Sequence, residues 1–234
     1  MTTGWDFFDR IYCISLAERA DRRAEATAQF ARVGLAERVQ FVVVDKDPAG
    51  AEKGCYESHL QCLRLGLAAG AERILIFEDD IVFSRFSHGL LQQAADFCSR
   101  HPRWHVLFFG CMVRGSRRTA YPAIRQVQYR SLTHAYAVPR NFAQALVQHP
   151  WSDVAYDDFL RDLHDREMYA LCPSFAFQSN SPSDNERYLP LDRFRRLCGG
   201  LQRLQELDEF YHRRRTLVIG VHLLLVVLLL RALA

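Results

Sequence analysis

Arg73-Ile74-Leu75-Ile76-Phe77-Glu78-Asp79-Asp80 is the stretch that decides the fold. A short apolar run bounded by polar residues reads as a buried strand, and this one ends in three consecutive acids. Upstream, Cys55–Ala69 carries Tyr56, Leu60, Leu63 and Leu67 at helical spacing and stops at Gly70. Further back, Arg10–Leu16 and Arg38–Val44 read as strands around a helix over Glu18–Val33 that stops at Gly34. The Asp45–Lys53 segment, with Pro48 and Gly50, reads as a loop. Downstream, a helix over Phe86–Arg100 leads to a strand over Trp104–Phe109. Strands that alternate with helices predict an α/β fold: a mostly parallel sheet with right-handed crossovers, flanked by helices on both faces.

The second half is less regular. Val113–Arg118 reads as a basic loop, and Ile124–Tyr129 with Thr133–Val138 as an antiparallel pair of short strands. Helices are predicted over Pro139–Gln148 and Asp157–His164, and extended segments over Met168–Leu171 and Phe175–Gln178. Ser179–Arg187 reads as a flexible loop, and Leu189–His212 as a basic amphipathic helix or helix pair.

Charge divides the chain. Of its 234 residues 49% are hydrophobic and 24% charged, which excludes a disordered or collagen-like chain. The net +3 is an average of unlike parts. Residues 1–192 hold 22 basic and 24 acidic residues, a slightly acidic body with no basic stripe for a nucleic acid backbone, so nucleic acid is not an expected partner. Residues 193–215 hold seven arginines against three acids, a basic neck. Residues 216–234 are apolar apart from Thr216, Gly220, His222 and Arg231; as a helix they extend roughly 28 Å, barely a hydrocarbon core. That tail is expected to be a C-terminal hydrophobic helix that anchors the body in the inner membrane, the neck keeping the body on the cytoplasmic side. The alternative is a buried C-terminal helix in an oligomer. Met1–Arg10 does not read as a signal peptide, and the seven cysteines show no Cys-x-x-Cys spacing.

The acidic triplet is the strongest chemical feature. Ligands of open α/β sheets bind beyond the carboxyl ends of the strands. Adjacent acids at such an end invite a hard cation, Mn²⁺ or Mg²⁺. Strand alternation would put Glu78 and Asp80 on one face and Asp79 on the other. The competing reading is a solvated loop in which one Asp caps a helix. No phosphate-binding P-loop, dinucleotide G-x-G-x-x-G, G-x-S-x-G elbow or H-E-x-x-H is present.

Gly54-Cys55-Tyr56-Glu57-Ser58-His59, followed by a helix and the strand ending Glu78-Asp79-Asp80, resembles the core signature of glycosyltransferase family 25. That family includes bacterial lipopolysaccharide galactosyltransferases and collagen galactosyltransferases. Ile11–Leu16 with Arg19, Asp21, Arg22 and Arg23 is similar to its first strand and arginine segment. Thr133–Val138, Ala155–Leu160, and Phe177-Gln178-Ser179 with Ser183-Asp184 resemble later segments in the right order. Ser15 stands where the family usually has Asn, and the body is short for the family.

The resemblance implies a GT-A-type, Rossmann-like domain over residues 1–192. It implies a uridine-diphosphate sugar as donor, often galactose, transferred with inversion to a lipopolysaccharide or other glycan acceptor: a hexosyltransferase. Glu78, Asp79 and Asp80, with His134 as a possible further ligand, are the expected metal residues. Ser15, Leu16, Arg19 and Arg22 are placed at the donor nucleotide, since arginine suits phosphate. Asp157, with Asp158 in reserve, is the expected general base; both also read as acids favoured at a helix N-terminus. Ser58 and His59 either brace the acidic loop or fill the core. The Val113–Arg118 segment and the neck are expected to meet anionic lipid or a phosphorylated glycolipid. Two other functions compete: a non-catalytic relative that binds a sugar nucleotide, and a different Mg²⁺-dependent enzyme such as a nucleotidyltransferase.

Overall fold

The computed structural model describes residues 4–180 and 199–233. An eight-stranded sheet forms its centre, in the order β2-β1-β3-β8-β5-β9-β7-β6. The strands are β1 Arg10–Leu16, β2 Val39–Val44, β3 Arg73–Glu78, β5 Val106–Phe108, β6 Met112–Arg118, β7 Ile124–Ser131, β8 Ala135–Pro139 and β9 Met168–Leu171. β4 (Ile81–Phe83) and β10 (Ala176–Gln178) form a separate antiparallel pair.

Pairing is parallel for β1/β2, β1/β3 and β5/β9, and antiparallel at β3/β8, β5/β8, β7/β9 and β6/β7. Six of the eight strands therefore share a direction, and β7 and β8 run against it. The sheet is mostly parallel in direction but mixed in pairing. The expected pair Ile124–Tyr129 with Thr133–Val138 does not form. β8 inserts between β3 and β5, and β7 pairs with β6 and β9. Val113–Arg118 is not a loop but most of β6, a strand whose arginines conceal its alternation.

Helices α1 (Ala20–Arg32), α2 (Ala51–Ala68), α3 (His88–Arg100), α4 (Arg140–Leu146) and α5 (Tyr156–Asp162) flank the sheet. α1 packs on one face through Ala26 and Phe30, together with α3 and the short 3-10 turn Gly4–Phe7. Trp5 is fully buried there and donates its indole N–H to the Val33 carbonyl at 2.9 Å. Burying such a ring contributes about 1.5–3 kcal/mol, and the hydrogen bond satisfies its polar tip. α2, α4 and α5 cover the other face. Tyr56, Leu60 and Leu63 of α2 point inward as their spacing predicts. At Gly66 an added Cβ would lie 2.5 Å from Ile74 Cδ1, so glycine lets α2 approach β3 closely.

α6 runs from Gly200 to Leu233 with a kink at Arg214. The junction at 192/193, the start of the expected neck helix and the Ser183-Asp184 segment lie outside the described residues. Two expectations are corrected here. Among the described residues no helix is long and apolar enough to cross a membrane. The apolar stretch between Arg215 and Arg231 is Leu217–Leu230, about 21 Å of helix at ~1.5 Å per residue, short of a hydrocarbon core of ~30 Å. The transmembrane anchor is therefore withdrawn. The neck is also not simply a lipid-facing collar. Its Gln205 is buried against the body, and Asp208 and Glu209 accept backbone N–H bonds from Val113 (3.0 Å) and Ser174 (2.9 Å). Beyond the kink, Leu223–Leu230 are exposed.

Candidate active site

The acidic triplet lies where β3 ends and turns into β4. Each acid meets a different neighbour. Glu78 closes β3. Its backbone N–H donates to the His134 carbonyl at 3.0 Å. Its Oε1 accepts from Thr133 Oγ1 at 3.0 Å and lies 3.5 Å from His59 Nε2. Burial pushes the Glu78 carboxyl up, but His59, His134 and Thr133 outweigh it and hold it below its ordinary value.

Asp79 turns towards the first βα connection and is buried. Arg22 Nη1 lies 3.3 Å from its Oδ1, and Ser15 also contacts the carboxylate. Burial nevertheless raises its pKa, against the pull of Ser15 and Arg22. Asp80 accepts a bond from Gln178 Nε2 at 3.3 Å on Oδ2, while its Oδ1 is buried with no hydrogen-bond partner. Burial, and then the neighbouring charge of Glu78, hold Asp80 well above the usual carboxylate range, with Arg22 opposing.

The expected nucleotide residues surround the end of β1. Ser15 is buried, and Leu16 is the last residue of the strand. Arg19 is engaged with Asp21 through two 3.0 Å bonds. Arg22 reaches the acidic turn. Arg23 closes the connection by donating to Ser15 Oγ at 3.3 Å, to the Leu16 carbonyl, and to the Ala17 carbonyl at 3.0 Å.

Asp157 and Asp158 open α5 but are placed differently. Asp157 accepts from the Tyr129 hydroxyl at 2.6 Å and from Leu132 N at 3.1 Å. Leu132 has a left-handed backbone, φ 81°, which aims its N–H at this carboxylate. Burial raises the Asp157 pKa, partly offset by Tyr129, Leu132 and a hydrogen bond from Thr133. Thr133 thus stands between Asp157 and Glu78. Asp158 turns the other way, to pair with Arg161.

His59 lies beneath the site, fully buried, stacked on Tyr156 at 4.2 Å. Its Nδ1 is 3.1 Å from the Tyr136 hydroxyl, which donates to Tyr156 at 2.9 Å. Ser58 is spent on the Gly54 carbonyl within its own helix, at 2.6 Å. His134 is fully buried beside the Ala176 backbone, and burial lowers its pKa, with Ala176 and Glu78 opposing.

Glu78, Asp79, Asp80, Arg22 and Asp157 are thus brought to one end of the sheet. Among the described residues, no three His, Cys, Asp or Glu side chains converge as a metal-ligand set. Residues for a hard cation are still present. Asp80 Oδ1 is a buried oxygen without a hydrogen-bond partner, and Mg²⁺ is commonly held by one or two carboxylates plus substrate phosphates. Sequence reasoning missed Tyr129, Tyr136 and Gln205. Each is set in place by a contact distant in sequence and carries no local signal.

A family model described as glycosyltransferase family 25 (LPS biosynthesis protein) matches residues 43–160. The match holds the Gly54–His59 helix, the acidic triplet and Asp157. It begins after β1 and Arg22 and ends before Gln178. A human protein named inactive glycosyltransferase 25 family member 3 is 28% identical over 197 residues. That alignment covers 69% of this chain, which spans only 33% of the human protein. Among solved structures, A197 from STIV is similar at 11% identity and a TM-score of 0.45, covering 72% of this chain and 85% of that one. A UDP-glucose pyrophosphorylase complexed with UDP-glucose is similar at 13% identity and a TM-score of 0.43, covering 80% and 81%. Likeness at that level carries no argument about function.

Proposed function

The chain belongs to glycosyltransferase family 25, and on that premise we propose that it is a hexosyltransferase, moving a sugar such as galactose from a uridine-diphosphate sugar to a lipopolysaccharide or other cell-surface glycan. The observation that carries this reading is the buried, unpartnered Oδ1 of Asp80, beside Glu78 and the Arg22–Asp79 pair, at the carboxyl end of β3. A polar atom so placed costs about 1–3 kcal/mol unless a partner reaches it. When bound, Mn²⁺ or Mg²⁺ would stabilise the charge that develops on the leaving diphosphate.

The chain's own residues divide the remaining work. Asp80 holds the oxygen side of the donor site, with Glu78 behind it. Arg22 offers a guanidinium to the diphosphate while neutralising Asp79. Ser15 and Leu16 form the floor for the nucleotide, kept in shape by Arg23, and Arg19 borders it. Asp157 receives the proton of the attacking acceptor hydroxyl; its raised pKa suits that role better than an ordinary carboxylate would. His134 remains a reserve nitrogen donor beside Glu78. The proposed place of action is the cytoplasmic face of the inner membrane, where a lipid-linked acceptor would be met; Arg213-Arg214-Arg215 suits an anionic leaflet.

A second reading is favoured by the Arg22–Asp79 lock and by the human relative's name: a sugar-nucleotide binder without transferase activity. A thermal-shift panel of nucleotide sugars with and without Mn²⁺ tests both, because a ligand that binds only the folded state raises its melting temperature. A Mn²⁺-dependent shift with turnover supports the transferase. A shift without turnover or donor hydrolysis supports the binder, and a flat response to every donor contradicts both.

A further inference from the structure

The first half of α6 grips the segment that carries Asp80. Gln205 is fully buried, and its Nε2 donates to the Ala176 carbonyl at 3.0 Å. Ala176 opens β10, which pairs antiparallel with β4, Ala176 opposite Phe83 and Gln178 opposite Ile81. At the far end of β10, Gln178 Nε2 donates to Asp80 Oδ2 at 3.3 Å, and Ser179 N donates to the Asp80 carbonyl at 2.6 Å. β10 is therefore a three-residue strut, fixed by Gln205 at one end and holding Asp80 at the other.

Two further contacts show how little slack the strut has. At Gly110 an added Cβ would sit 1.9 Å from the Ala176 carbonyl oxygen and 2.5 Å from Gln205 Nε2. The backbone at Gly110, the Ala176 carbonyl and the Gln205 amide are thus stacked without room for a methyl group. One turn along α6, Glu209 accepts from Ser174 N at 2.9 Å, just ahead of β10. Arg85, two residues beyond β4, lies 3.9 Å from Glu206 and from Glu209. β10 and the segment beyond β4 are thereby both tied to one helix. A buried primary amide spent on a single backbone carbonyl is costly to retain, since the Gln205 Oε1 is left without a partner.

We propose that Gln205 is a positioning residue: through β10 it sets the place of the Asp80 carboxylate, which makes α6 part of the donor site. The proposal rests on the donor-site reading above. In the intact chain, Gln205→Leu keeps the volume and removes the donor. Asp208→Asn is the control, because it weakens α6 at the Val113 contact without touching β10.

Two readouts are needed. In hydrogen exchange, Gln205→Leu should lose at least tenfold protection at Ser179 and over Ile81–Phe83, while Asp208→Asn leaves both unchanged. In thermal-shift titrations with UDP, Gln205→Leu should raise the half-saturating Mn²⁺ about tenfold, while Asp208→Asn lowers only the melting temperature. Unchanged exchange at Ser179, or an unchanged Mn²⁺ midpoint despite altered exchange, overturns the proposal. A wild-type protein that ignores UDP and Mn²⁺ altogether overturns the donor-site reading and this role with it, and that failure is recognisable because it needs no variant.

Discussion

Replacing Tyr129 by Phe isolates the hold on Asp157. Tyr129 is buried and stacked on Phe108, with ring centroids 4.5 Å apart and planes within 2°. Phenylalanine keeps that stack and its buried area, so the change removes one 2.6 Å hydroxyl–carboxylate bond. Hydrogen bonds to charged groups contribute about 1.5–3 kcal/mol. Asp157 retains Leu132 N and Thr133, which places the expected loss near the lower end, about 1.5 kcal/mol at pH 7.5. For a chain of this size that lowers the melting temperature by about 3–6 °C. The pH dependence has a definite sign. The Tyr129 bond favours the ionised carboxylate, so without it the Asp157 pKa, already raised by burial, rises further. The variant's deficit is therefore largest with Asp157 ionised and shrinks as the pH falls through its titration. Melts followed by circular dichroism between pH 4 and 8 measure this. In a transfer assay the acid limb of the rate profile should move to higher pH. Identical melting at pH 7.5, or a deficit that grows in acid, would refute the role given to Tyr129.

Three other substitutions probe the frame around the site. Arg22→Ala leaves Asp79 buried and without its guanidinium, and should cost about 3–5 kcal/mol in chemical denaturation; Asp79→Asn in the same background should recover part of it, and no recovery would contradict the pairing. Gly110→Ala forces a methyl group into the Ala176 carbonyl and should cost at least about 1–3 kcal/mol, read from urea midpoints at constant slope. Asp9→Asn removes the carboxylate that accepts from Arg73 Nη2 at 3.0 Å and Arg73 N at 2.8 Å. Burial alone would raise the Asp9 pKa, but Arg73 holds it below its ordinary value. Its contribution is therefore present above the unfolded carboxyl pKa and lost as pH falls through the folded one. Because the pair is about one-third exposed, the deficit at pH 7 should be only about 0.5–1 kcal/mol and should disappear in acid.

The first half of the fold was legible because local pattern and tertiary role agree there. β1, β3, α1 and α2 have uniform apolar faces and glycine stops, and the acids follow β3 as read. The second half was less legible because its pairings are distant in sequence. β8 inserts between β3 and β5, a placement that no feature of Ala135–Pro139 announces. β6 is written in arginine, glycine and serine, so its strand pattern is masked. The candidate site shows the same division. Residue types and order pointed to the triplet and to Asp157. The separate partners of Glu78, Asp79 and Asp80, and the different surroundings of Asp157 at Tyr129 and Asp158 at Arg161, are tertiary contacts that residue order does not announce. The tail misled for a physical reason. Composition reports greasiness, but spanning requires length, and the apolar stretch Leu217–Leu230 between Arg215 and Arg231 is too short; among the described residues no helix is long and apolar enough to cross a membrane.

In the proposed function the turn after β3 binds a uridine-diphosphate sugar through Asp80. Isothermal titration of UDP-galactose in the presence of Mn²⁺, into the wild-type protein and into Asp80→Asn, tests it most directly. The substitution keeps the shape and a bond to Gln178 but removes the charge. The wild type should show saturable, chelator-sensitive binding and the variant at least a tenfold weaker affinity, with the melting temperature of the free protein unchanged or raised. Equal affinity in the two proteins, or binding indifferent to Mn²⁺, would contradict it.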